Sequence, residues 1–66
     1  MNYKVIACTN SAYTGLFIYI ESLHTGALTI IRNDGAQIIF QVDTILRSGK
    51  YVTLANSNFM AHLQEI

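Results

Sequence analysis

Ala27-Leu28-Thr29-Ile30-Ile31-Arg32-Asn33-Asp34-Gly35-Ala36-Gln37-Ile38-Ile39-Phe40-Gln41-Val42 is the stretch that decides the fold. Two runs rich in β-branched residues flank Asp34-Gly35, and a two-residue type I′ turn needs positive φ at both central positions, which Gly adopts freely and Asp tolerates. The stretch therefore reads as a β-hairpin. Folding symmetrically about the turn sets Asn33 opposite Ala36, Arg32 opposite Gln37, Ile31 opposite Ile38 and Ile30 opposite Ile39. In that register both faces are apolar, with Leu28, Ile30 and Ile39 on one side and Ile31, Phe40 and Val42 on the other.

Outward from the hairpin, other short segments alternate. Tyr3, Val5 and Ala7 oppose Lys4, Ile6 and Cys8, and Leu16, Ile18 and Ile20 oppose Phe17, Tyr19 and Glu21. Thr9 to Gly15 collects loop formers. Lys50 to Leu54 is strand-like, and Phe59, Ala61 and Leu63 alternate with Met60, His62 and Gln64 after a loop at Ala55-Asn56-Ser57-Asn58. Asp43 to Gly49 has no clean period of two and reads as a helical turn capped by Asp43 that tucks Ile45 and Leu46 inward. Together these give one domain over residues 1–66: an all-β antiparallel meander of five to six strands. It closes into a small barrel or bent sheet of SH3-like, Sm-like or OB-like shape. The alternative is an α+β fold with helices near 14–24, where Thr14 and Gly26 are cap and stop, and near 57–65, where Phe59, Leu63 and Ile66 share a helical face.

The chain has 66 residues, 52% of them hydrophobic and 12% charged, with four acidic and four basic side chains. A domain of this length buries only about 60% of the surface its unfolded chain exposes. It cannot cover two apolar faces of one ribbon, so a second copy or a partner protein is expected to do so. Cys8 is the single cysteine, which rules out an intrachain disulfide and fits a reducing, cytoplasmic setting. Val5-Ile6-Ala7-Cys8 has a passing likeness to a lipoprotein cleavage site, but too few apolar residues precede it for a signal core. The apolar run Leu16 to Ile20 is far below the roughly 20 residues of a bilayer span.

No Gly-x-Ser-x-Gly, Cys-x-x-Cys or Gly-rich phosphate loop is present, and a nucleophilic set of Cys8 or Ser48 with His62 and Asp43 lacks any supporting motif. Cys8, His24 and His62, with Asp34 or Asp43 as a fourth group, show no metal-ligand spacing. The sequence thus predicts a small non-enzymatic interaction module without cofactor or metal. It homo-oligomerises or docks on a partner protein as a regulator or inhibitor, through Phe17, Tyr19, Ile31, Arg32, Phe40 and Tyr51. The second reading is a nucleic-acid binder whose Arg47, Lys50 and Tyr51 combine two cations and a ring in one turn. Zero net charge weighs against that reading.

Overall fold

A computed structural model describes residues 1–66. It contains β1 Asn2–Cys8, β2 Phe17–Tyr19, β3 Gly26–Arg32, β4 Gln37–Val42, β5 Thr44–Ser48, β6 Tyr51–Asn56 and β7 Phe59–Glu65, with one 3-10 turn at Ser11–Tyr13. All seven strands join one sheet in the order β4-β3-β2-β1-β7-β6-β5, and every pairing is antiparallel. The protein is all-β. Residues 14–24 contain strand β2, with Ile18 and Ile20 buried and Phe17 and Tyr19 exposed, as the alternation requires. Residues 57–65 contain a turn and strand β7, with Ala61 and Leu63 buried, while Ile66, which a helix would have placed beside Leu63, is exposed.

The hairpin forms with a different turn and a register shifted by one. Gly35 N–H donates to the Arg32 carbonyl at 2.9 Å and Arg32 N–H to the Ala36 carbonyl at 2.8 Å, so the loop is Asn33-Asp34-Gly35. Only Gly35 there has positive φ, at 89°. This is a type I turn closed by a glycine bulge, and it sets Ile31 opposite Gln37, Ile30 opposite Ile38 and Leu28 opposite Phe40. A shift of one residue moves side chains across the sheet. Leu28, Ile30, Ile38, Phe40 and Val42 all turn inward, whereas Ile31 and Ile39 turn outward, so the ribbon has one apolar face rather than two.

Asp43 to Gly49 does not form a helical turn. Asp43 N–H donates to the carbonyl of Ala55 at 2.9 Å, and Thr44 is paired with that same Ala55, so two residues face one and the strand bends. The ladder to β6 satisfies the backbone over five residue pairs, which an isolated helical turn cannot do. β5 is the seventh strand, beyond the five or six that the sequence suggests.

β4 and β5 are the outer strands of the sheet, yet only Asp43 separates them. The sheet must therefore roll until its two margins meet at that corner. Its inner face is the core: Tyr3, Val5, Ile18, Ile20, Leu28, Ile30, Val42, Val52, Leu54, Ala61 and Leu63. Away from the corner the margins do not pair. Asn56 Nδ2 donates to the Gln41 carbonyl at 2.6 Å, and the Phe40 ring stacks on Phe59 with centroids 4.5 Å apart. Tyr13, in the 3-10 turn, meets Phe40 edge-on at 6.1 Å. Aromatic packing fills the gap that a hydrogen-bonded ladder leaves open.

Gly35 holds a conformation that costs other L-residues about 1–2 kcal/mol. Gly35→Ala is accordingly expected to lower unfolding free energy by about that amount in urea titration, with the antiparallel register unchanged. A neutral substitution would contradict the turn assignment.

Candidate interaction surface

Cross-strand registers assemble the exposed aromatics on the outer face. Phe17 pairs with Lys4, Lys4 with Gln64, Gln64 with Tyr51 and Tyr51 with Ser48, which makes one transverse row over β2, β1, β7, β6 and β5. Phe17 and Tyr51 keep 49% and 55% of their surface exposed, and Lys4 Nζ lies 5.9 Å from the centre of the Phe17 ring. Tyr19, two residues beyond Phe17, pairs with Asn2 on one side and Ile31 on the other. Phe17, Tyr19, Ile31 and Ile66 line an open groove of about 310 Å³. The fold thus brings together Phe17, Tyr19 and Ile31, three residues that the sequence singles out, and sets Tyr51 on the same outer face three strands away, beyond Lys4 and Gln64.

Phe40 does not belong to this surface. Its side chain lies on the inner face, sandwiched by Phe59 and Tyr13, because the shifted hairpin register turns even-numbered β4 residues toward the core. Arg32 lies beside the groove, but its guanidinium is engaged by Asp34 at 3.1 Å. Its Nε is buried without a hydrogen-bond partner.

Arg47, Lys50 and Tyr51 do not form one grip. Arg47 opposes Val52, whose side chain is buried, and so lies on the inner side of the sheet, where its Nη2 meets Glu65 Oε1 at 2.8 Å. Tyr51 faces outward from the adjacent position. Lys50 sits in the turn after Gly49 and accepts the Glu65 N–H at its carbonyl, 2.7 Å away. Cys8 turns inward opposite Ala61, because a bulge between Val5 and Ala7 shifts the end of β1. His62 Nδ1 is 3.0 Å from Thr53 Oγ1, and no three His, Cys, Asp or Glu side chains gather.

Sequence reasoning missed Ile39, Leu46 and Met60, which are 70%, 63% and 46% exposed on the outside. Leu46 was concealed by the helical-turn reading and Ile39 by the register. Met60 was detectable from its alternation with Ala61. No helix is long and apolar enough to cross a membrane. Comparison with protein-family models, characterised proteins and solved structures finds no match.

Tyr3 is fully buried. Burial pushes its hydroxyl above the ordinary range, the Glu65 carboxylate adds to the rise, and the Arg47 guanidinium opposes it. Below the unfolded value near 10 the hydroxyl is neutral in both states. As pH rises past that value the unfolded chain releases the proton first, so stability falls until the folded value is passed. The hydroxyl's one contact, Met1 Sδ at 3.7 Å, is a weak acceptor. Tyr3→Phe should therefore change stability at pH 7 by less than about 1 kcal/mol and flatten its decline above pH ~10. Thermal unfolding from pH 7 to 11 reads both, and parallel pH profiles would contradict this account of Tyr3.

Proposed function

We propose that this chain is a small non-enzymatic protein-interaction module that associates with copies of itself or docks on a partner protein as a regulator or inhibitor. The observation that carries the reading is the outer-face groove lined by Phe17, Tyr19 and Ile31, with Tyr51 exposed further along the same face, on strands whose opposite side already supplies the core. Tyrosine and phenylalanine expose large rigid surfaces that lose little side-chain entropy on binding and release much water. Formal charge is zero, and both arginines are held in ion pairs, so no cationic field competes with apolar contact. The mechanism is steric: the module covers a partner's surface or holds copies together.

Sedimentation velocity over a concentration series, at low and at moderate salt, tests this reading. Apolar association should appear with rising concentration or on adding the partner, and should change little with salt. A chain that stays monomeric yet binds a fluorescent single-stranded oligonucleotide, with affinity falling steeply as salt rises, would overturn it in favour of nucleic-acid binding.

A further inference from the structure

The outer margin of β4 is an open strand edge at Gln37 and Ile39, while Asn56 covers it at Gln41. The Arg32 N–H bond to the Ala36 carbonyl sets the alternation of the β3–β4 ladder. Ile38, Phe40 and Val42 consequently direct their backbone groups at β3, while Gln37, Ile39 and Gln41 direct theirs away. Gln41 confirms this, since its carbonyl accepts Asn56 Nδ2 across the gap. No bond outside the strand ladders reaches the backbone of Gln37 or Ile39. Exposed edges in soluble proteins usually carry a lysine, a proline or a bulge that prevents strand addition. Gln37-Ile38-Ile39-Phe40-Gln41 has no charge, no proline and an unbroken ladder, and Ile39 is the most exposed large apolar residue of the chain. The other margin differs: on β5 Arg47 places a cation at the edge.

The β4 edge is also complementary to itself. Around a two-fold axis at Ile39, an antiparallel second copy sets Ile39 against Ile39, Ile38 against Phe40 and Gln37 against Gln41, where the second copy's Gln37 N–H takes the place of Asn56 Nδ2 on the Gln41 carbonyl. Amide meets amide, apolar meets apolar, and the Ile39 N–H and C=O are exchanged reciprocally. We propose that the chain dimerises through this edge, the second copy's β4 extending the sheet. The proposal rests on the interaction-module reading and names its partner and contact. Because β4 adjoins β3 and β2, pairing also brings the two Tyr19 and Ile31 surfaces onto one continuous outer face.

Directed cross-linking tests the arrangement. In a hydrogen-bonded antiparallel pair the Cα atoms lie about 5.5 Å apart, within the roughly 4.4–6.8 Å range of disulfides. On a Cys8→Ala background, Ile39→Cys should oxidise with diamide to a covalent dimer. Gln37→Cys should not, since the two-fold axis holds its copies about 13 Å apart. Ile39→Lys in the otherwise unchanged chain should weaken dimerisation about tenfold or more, by setting two ammonium groups face to face, with an unaltered circular dichroism spectrum. If the Cys8→Ala background fails to fold, the Ile39→Lys comparison decides alone. A dimer of the unchanged chain that Ile39→Lys leaves intact, or that cross-links equally through Gln37→Cys, would overturn the edge assignment and leave the interaction module standing. A chain monomeric at every concentration would overturn self-association, leaving docking on another protein.

Discussion

A single residue between the two outermost strands governs this structure. β4 and β5 close opposite ends of the strand order, but Val42 and Thr44 are separated by Asp43 alone, so their Cα atoms lie at most about 7.6 Å apart. A flat seven-stranded sheet would put its margins six strand spacings apart, about 29 Å. The chain can satisfy both facts only by rolling the sheet. The bulge at Asp43 makes the corner, and the apolar side chains on the concave face become a core that no second layer has to provide.

Rolling also divides the surface. One side of each strand is consumed by the core, and the other must remain outside, because there is no helix to cover it. The outer positions are not purely polar: Phe17, Tyr19, Ile39, Leu46, Tyr51 and Met60 all lie there. The charged groups are few and half of them are used locally, Arg32 with Asp34 and Arg47 with Glu65.

Most of the fold was readable because alternation is a direct record of burial in a half-covered strand. Tyr3 and Val5, Ile18 and Ile20, and Ala61 and Leu63 all turn inward as their spacing requires. Two features were not readable. Asp34-Gly35 suits both a type I′ turn and a type I turn with a glycine bulge, since each needs positive φ at Gly35; only the conformation of Asp34 separates them. That difference of one residue moved Phe40 from the proposed surface into an aromatic stack and moved Ile39 out to a free edge. β5 was hidden because its pattern mixes an inward Arg47 with an outward Leu46, and a charged residue on the core side breaks the expected period. Of the proposed surface, Phe17, Tyr19, Ile31 and Tyr51 share the outer face because all of them lie on strands of one sheet, a relation that spacing along the chain cannot reveal.

The rolling of the sheet is the feature from which the rest follows, and Phe40 and Phe59 report on it directly because β4 and β7, with three strands between them in the strand order, bring their rings into a stack across the rolled interior. Proton NMR on chain carrying isotope-labelled phenylalanine measures that proximity. Strong nuclear Overhauser effects between the Phe40 and Phe59 rings, joined by weaker ones from Phe40 to Tyr13, are the predicted result. Phenylalanine rings that show effects only to their own ladder neighbours would mean an open sheet, and would contradict the rolled architecture.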